Sequence, residues 1–480
     1  MKKLICLSLV ASSFLLADTD LEQLKAQMDK QQLMIEKLLK KIQKLEQADA
    51  SNEQNYIQKL DIKTAHNHQE NAVQKKQASE TKNATFMQSQ YMPDISLIMD
   101  TSYVSRSKKD DEAAHLEVPG VAHGLLGSHS HDGDSHSTYN ASNGFNLNYA
   151  ELVLSSAVDP FFTMDGIFHF SEHGVEIEEL FFTSTALGYG TRVKGGKFNS
   201  NFGYLNEQHH HAWDFADMPL VYESFLGMHG LNEKGLQLQW TAPTKNYLML
   251  GAEVLQGENE QMFGNATIGD AQDPIAKGSR APSLFVAYAK TSFDIEDTTV
   301  LGGLSYANGT SRIDHSDDED GPHVFSADSV LYGADLTIKH YFDSYSFLTW
   351  QSEWLMRDMD GVQYNLDGTG AVVSSPNLTK EQAGLYTQLI YAIDKNWKIG
   401  ARYDTIYKND VAANGIDLNK PTDLNKYSTM IEYRTSEFAK FRLQYNRNEA
   451  LYNEDGMREK IDTIILQANF SIGAHGAHSF

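Results

Sequence analysis

From residue 94 onward, apolar and polar positions alternate with a period of two. In WKIGARYDT, Trp397, Ile399, Ala401 and Tyr403 fall on one face while Lys398, Gly400, Arg402 and Asp404 fall on the other. FLTWQSEWLMR sets Leu348, Trp350, Trp354 and Met356 against Thr349, Gln351, Glu353 and Arg357, and YSTMIEYR and FRLQYNR repeat the pattern. This is the signature of half-buried strands. The pattern predicts strands near 94–104, 144–155, 160–171, 174–182, 189–199, 234–242, 246–256, 283–292, 298–307, 331–341, 346–357, 382–392, 396–405, 427–434, 438–447 and 461–472. Short links (SSAVDP, TSTALG, PTKN, FDIED, FDSY, IDK, TSE) alternate with long ones, and only EHG at 172–174 is short among the long positions. One rim of tight turns and one of long loops points to an all-β membrane protein, an antiparallel transmembrane β-barrel of about 16 strands over 94–480. A soluble sandwich has no reason to segregate its loops this way. The final alternation is clean through Ile472, so the last strand is expected to stop there, ahead of GAHGAHSF and the terminal Phe480.

The period is different at the start of the chain. Leu21, Leu24, Met28, Ile35, Leu38, Ile42 and Leu45 follow steps of three and four, interrupted only by Gln31. That is a heptad seam, and it predicts an N-terminal α-helical coiled coil over 18–46. Residues 1–17 read as a signal peptide, with Lys2 and Lys3, a short apolar core and Ala17 before the expected cleavage. Residues 47–93, rich in Gln, Asn, Lys and Ser, read as a polar linker. A coiled coil needs partners, so a homo-oligomer is expected, most simply a trimer held through the coiled coil and the barrel wall.

Composition narrows the chemistry. Cys6 is the one cysteine and lies in the leader, which excludes thiolate metal sites and disulfides from the mature chain. The net charge of −24 becomes −26 without Lys2 and Lys3, which argues against a nucleic-acid partner and for a cation-preferring mouth. No GxSxG or HExxH occurs, and Glu176 and Glu178 have the spacing of lumen-facing strand residues, so no enzyme is expected.

The histidines change the picture most. Twelve of the 18 fall in the long connections, against roughly seven expected by chance on this strand assignment. The first connection carries HSHDGDSH, with His129, His131 and His136 beside Asp132 and Asp134, and the fifth carries HSDDEDGPH, with acids between His315 and His323. Imidazole and carboxylate are ligands that zinc, nickel and copper accept. The third connection carries His209, His210 and His211. A short helix over 206–218, ended by Pro219, would put His210 and His211 on a face with Asp214. The candidate metal ligands are therefore His209, His210, His211, Asp214, His129, His131 and His136. Solvated polar loops with no ligand remain the alternative.

Over 175–227 and on through GLQLQWTAPT, and again at GAHGAHSF, the sequence resembles the family named zinc-regulated TonB-dependent outer membrane receptors. The resemblance rests mainly on FGYLNEQHHHAWDFADMPLV and implies a protein of the bacterial outer membrane linked to zinc supply. The barrel itself reads as porin-sized. Three functions are open: a diffusion pore that gathers divalent metal, with Zn2+ as the captured ion and no cofactor required; a general cation-preferring or phosphate-type porin; and an envelope tether, lodged in outer-membrane lipid and engaging peptidoglycan.

Overall fold

The computed structural model describes residues 93–473 apart from 124, 127–138, 173, 271 and 318–320. The signal peptide, the coiled coil, nearly all of the linker and the candidate ligands His129, His131 and His136 lie outside the described residues.

Sixteen strands wall the barrel: β1 (Asp94–Arg106), β2 (Gly144–Asp159), β3 (Phe162–Ser171), β4 (Gly174–Ser184), β5 (Thr191–Asn199), β6 (Asn232–Thr241), β7 (Tyr247–Leu255), β8 (Leu284–Ile295), β9 (Thr298–His315), β10 (His323–Tyr341), β11 (Phe347–Leu366), β12 (Asn377–Ala392), β13 (Trp397–Ala413), β14 (Leu424–Ser436), β15 (Ala439–Tyr452) and β16 (Arg458–Gly473). Each pairs antiparallel with its neighbours in sequence, and β1 pairs with β16 from Ser96↔Gly473 to Arg106↔Thr463, which closes the sheet and leaves no edge. The alternation of the sequence is the alternation of the wall. Leu97, Leu250, Leu304, Leu389, Ile399, Ile431, Leu443 and Leu466 point outward and are exposed, while Gln351, Glu353, Arg357, Arg402, Asp404, Glu432, Arg442 and Gln444 point inward and are buried.

Aromatic residues bracket the outward band. Phe162, Tyr247, Tyr341, Trp397, Tyr433 and Phe441 mark the short-turn side, and Tyr103, Tyr306, Tyr332, Tyr407 and Tyr427 the other. From Trp397 to Tyr407, about ten residues of tilted strand rise about 25 Å, the height of a bilayer's apolar core. A closed barrel with an apolar outer band between two aromatic girdles is built for the bacterial outer membrane, where the protein resides.

Strands β9 to β11 run to 18, 19 and 20 residues, longer than a crossing needs. The fifth connection is therefore mostly paired strand: β9 and β10 stay in register from Thr298↔His340 to His315↔His323. The expected end of the last strand holds, with β16 ending at Gly473.

The third connection, 200–231, departs from its expected place among external loops. It folds into the barrel. Phe202, Leu205, Trp213, Phe215, Met218, Leu220, Val221, Phe225 and Leu226 are all buried, which the outer surface could not provide for so many apolar side chains. The expected helix over 206–218 does not form either. A single 3-10 turn covers His210–Ala212, and the helix α1 (Leu220–Leu226) starts after Pro219. Proline has no amide to donate and suits a helix start, so Pro219 opens a helix and does not close one as the spacing predicts.

The first connection also turns inward. A short hairpin, Glu117–Val118 against Ala122–His123, reaches the wall, where Arg357 Nη2 donates to Val121 O at 2.7 Å, Gln382 Nε2 to Gly120 O at 2.9 Å and Asn409 Nδ2 to Pro119 O at 2.9 Å. Together the two connections fill the outer half of the lumen with a packed apolar core.

Candidate metal centre inside the barrel

The wall anchors the third connection by its polar groups. Glu353 on β11 accepts from the Tyr204 amide at 2.8 Å, the Leu205 amide at 3.0 Å, the Tyr222 hydroxyl at 2.7 Å and the Tyr386 hydroxyl. Gly203 permits this approach: its φ is +65°, and a Cβ there would lie 2.6 Å from Glu353 Oε2. Asp217 is held by Arg402 at 2.9 Å and Lys426 at 2.6 Å; burial pushes its pKa up, but these cations outweigh it and keep the carboxyl well below the usual range. Asp404 Oδ1 accepts the Leu220 amide at 2.9 Å, at the start of α1. Arg442 Nη2 donates to Trp213 O at 2.7 Å, and Lys440 Nζ to His211 O. Most of FGYLNEQHHHAWDFADMP is thus explained by docking.

The three consecutive histidines separate. His210 stacks on Tyr139 with ring centres 4.0 Å apart, its Nε2 lies 3.2 Å from Ala216 O and its Nδ1 3.2 Å from the Tyr149 hydroxyl. A carbonyl only accepts, so Nε2 carries the proton and Nδ1 receives the phenol. Burial pushes its pKa down to about 4, and both ring nitrogens are committed to packing. Asp214 lies apart as well, 3.6 Å from Lys398 Nζ. The structure does not bring His210 or Asp214 to the other two.

His209 and His211 meet partners that come from the wall. On β2 and β3, Glu151 and His169 are registered opposite one another, with His169 Nε2 3.1 Å from Glu151 Oε2. Between β3 and β4 the register slips: Ile167 pairs with Glu179 and Phe168 with Ile177, so Glu178 is an extra, bulged residue. The bulge lets Glu178 and Glu179, adjacent in sequence, both reach inward. Glu178 Oε2 is 2.6 Å from His169 Nε2 and 3.2 Å from His209 Nδ1, Glu179 Oε2 is 2.9 Å from His209 Nε2, and Glu151 Oε2 is 3.2 Å from His211 Nδ1.

Both nitrogens of His209 face carboxylates, which can only accept. Burial opposes its charge, yet Glu178 and Glu179 prevail and hold its pKa well above the ordinary histidine value. The donor atoms of Glu151, Glu178 and His209 all lie within 4.8 Å of one another. Glu151 Oε1 is buried and has no hydrogen-bond partner among the described residues. Three carboxylates and three imidazoles in one buried cluster, with an oxygen left over, form a donor set that suits a divalent ion with nitrogen and oxygen preference. Such an ion would displace the protons now shared in the cluster.

Beneath the docked connection, toward the short-turn rim, lies a cavity of about 1780 Å³. Glu179, His209 and His211 stand in its lining, so the cluster communicates with the periplasmic side. The same lining carries eight Lys or Arg and seven Asp or Glu, so the acidic excess of the whole chain is not carried into the cavity.

Of these residues, Glu151, His169 and Glu179 escape a search confined to loops. The signal was available: in YAELVL and IFHFS, Glu151 and His169 occupy inward positions of alternating strands.

No family model matches the chain. Among solved structures it is similar to the outer membrane protein OmpT of Vibrio cholerae (TM-score 0.46, 10% identity, 79% of this chain and 97% of that one). It is also similar to the outer membrane channel DcaP of Acinetobacter baumannii (TM-score 0.45, 11% identity, 79% and 96%) and to OmpF of Salmonella typhi (TM-score 0.44, 12% identity, 80% and 99%). In sequence it is 47% identical over 395 residues to an uncharacterized protein of Aquifex aeolicus (strain VF5), covering 82% of this chain and 81% of the relative. This chain belongs to the same family as that Aquifex aeolicus protein.

Proposed function

We propose that the protein is an outer-membrane pore that assists uptake of a divalent metal, most simply zinc, with the ion as cargo. The observation that carries this is the cluster of Glu151, His169, Glu178, Glu179, His209 and His211 at the boundary between the packed outer half of the lumen and the cavity below. A cation held there would meet Glu151, Glu178 and His209, whose donor atoms lie within 4.8 Å of one another, and have, through His209, His211 and Glu179, an exit toward the periplasm. The cluster is completed by a docked loop and opens on a cavity, which favours capture with release over a closed structural site. The resemblance to zinc-regulated receptors supports zinc among the ions these donors accept.

The test is flux. Protein reconstituted in liposomes holding a zinc-sensitive dye should admit Zn2+, and His209→Ala with Glu178→Gln should slow Zn2+ while leaving K+ conductance within about twofold. Equal loss of both ions would reduce the protein to a general porin. The phosphate-type alternative requires an unopposed basic constriction, which the mixed lining of the cavity does not favour.

A further inference from the structure

We infer that the outer mouth carries a second metal site, formed by His123, His315 and His323, which takes zinc, nickel or copper from outside the cell. Donor atoms of the three side chains all lie within 4.8 Å of one another. His315 and His323 are the last registered pair of the β9–β10 hairpin, so the sheet itself sets them side by side. His123 arrives from the hairpin of the first connection, whose Glu117 pairs with Tyr452 on β15. The rings meet edge to face or tilted, with centres 5.0 Å (His315 and His323), 5.2 Å (His123 and His315) and 6.2 Å (His123 and His323) apart.

The surrounding groups prepare the rings for a metal. His323 Nδ1 lies 3.0 Å from Gly321 O, which can only accept, so the proton sits on Nδ1 and Nε2 is the basic nitrogen. His123 Nδ1 lies 3.2 Å from Glu117 Oε2, which fixes it in the same sense. A ligating imidazole commonly donates its other N–H to a carbonyl or a carboxylate, and this site shows one of each. Three imidazoles without thiolate select zinc, nickel or copper over calcium or magnesium. His123 is half exposed, its side chain 51% accessible, and the set lies on the long-loop rim, so it meets ions before the inner centre can.

The site stands on its own residues and does not require the inner centre. An ion bound here would tie the first connection to the β9–β10 hairpin, across the outer opening.

The experiment uses the full-length protein in detergent with His129, His131 and His136 replaced by Ala, so that these add no binding. Zinc calorimetry is recorded on this parent, on His123→Ala/His315→Ala/His323→Ala and on His209→Ala/Glu178→Gln, and the copper paramagnetic resonance spectrum on the last of these, with the inner centre disabled, before and after the mouth replacements are added. The mouth variant should lose about one zinc equivalent per chain, and the inner variant, which loses its own equivalent, should show the spectrum of copper bound by three nitrogens until the mouth replacements are added. His323→Ala alone, at the exposed rim and added to the inner variant, should reduce the coordinated nitrogens from about three to two, which covers the case in which the triple variant does not fold. Unchanged stoichiometry in the folded mouth variant, or a three-nitrogen spectrum that survives His323→Ala, overturns the site. Failure of the inner reading appears separately, as unchanged zinc binding in the inner variant.

Discussion

Glu151 and His169 face each other across β2 and β3, with 3.1 Å between Oε2 and Nε2. Strand register alone makes this pair, and with Glu178 and Glu179 four of the six residues of the inner centre stand in the wall before the third connection docks. The connection then supplies His209 and His211, both to carboxylates already in place. Ion binding and loop docking are therefore parts of one equilibrium, and an ion that prefers the complete centre stabilises the docked loop.

This division of labour separates the histidines experimentally. Glu151→Gln and Glu178→Gln should each weaken zinc binding at least tenfold, on the scale of lost ligands and their supports. His210→Ala should leave zinc affinity within about threefold but cost about 1–3 kcal/mol of stability, since it strips the Tyr139 stack and a buried hydrogen bond from Tyr149. Calorimetry and thermal unfolding read the two effects. A zinc affinity that fell with His210 and not with Glu178 would reverse the assignment.

Glu353 governs the docked loop from the opposite wall. Removing it in Glu353→Ala orphans the Tyr204 and Leu205 amides and the Tyr222 and Tyr386 hydroxyls at once. Each buried donor left without an acceptor costs about 1–3 kcal/mol. The loop should leave its seat more often, and single-channel recordings should show larger or noisier conductance than the parent. An unchanged conductance would mean that the apolar contacts of Leu220, Val221 and Phe225 suffice.

Glu223, within α1, makes docking sensitive to pH. Burial is the main cause that raises its pKa to about 7; Lys426 and Arg402 oppose the rise, and Asp217 and Asp404 add to it. Arg106 also faces it. When the loop is released the group returns toward its ordinary value of 4.5. A raised carboxyl favours the docked state below about 4.5, and that contribution is lost as pH rises through about 7. Conductance should therefore increase between pH 5 and pH 8, and Glu223→Gln should flatten the change. A steeper dependence in Glu223→Gln would refute the role.

Much of the barrel could be read from the sequence because lipid enforces it: Trp397, Ile399 and Tyr403 must face apolar surroundings, and Arg402 and Asp404 must not. All sixteen strands lie where the alternation puts them. The destination of 200–231 was not legible in the same way. A connection rich in Phe, Trp and Leu can bury them only inside the lumen, yet alternation has no symbol for inside. The inner centre was half visible for a related reason. His209 and His211 belong to a conspicuous run, but their partners are spread over three strands, and Glu178 reaches them through a bulge that a strict period of two does not contain.

The oligomer expected from the sequence is tested at the opposite end of the chain. The heptad spacing at 18–46 predicts one core layer of Leu21, Met28, Ile35 and Ile42 and another of Leu24, Leu38 and Leu45, with Gln31 in the second. A polar core residue lowers stability while fixing register, since mismatched pairings would leave its amide buried without a partner. Deleting 18–46 should therefore reduce the detergent-purified protein from a trimer to a smaller species by light scattering, unless the barrel walls hold it alone. Gln31→Leu separates stability from register: it should raise the temperature at which the oligomer dissociates and broaden the distribution of assembly sizes. A trimer untouched by the deletion would move the interface to the barrel wall, and a monomeric parent would remove the coiled coil from the assembly.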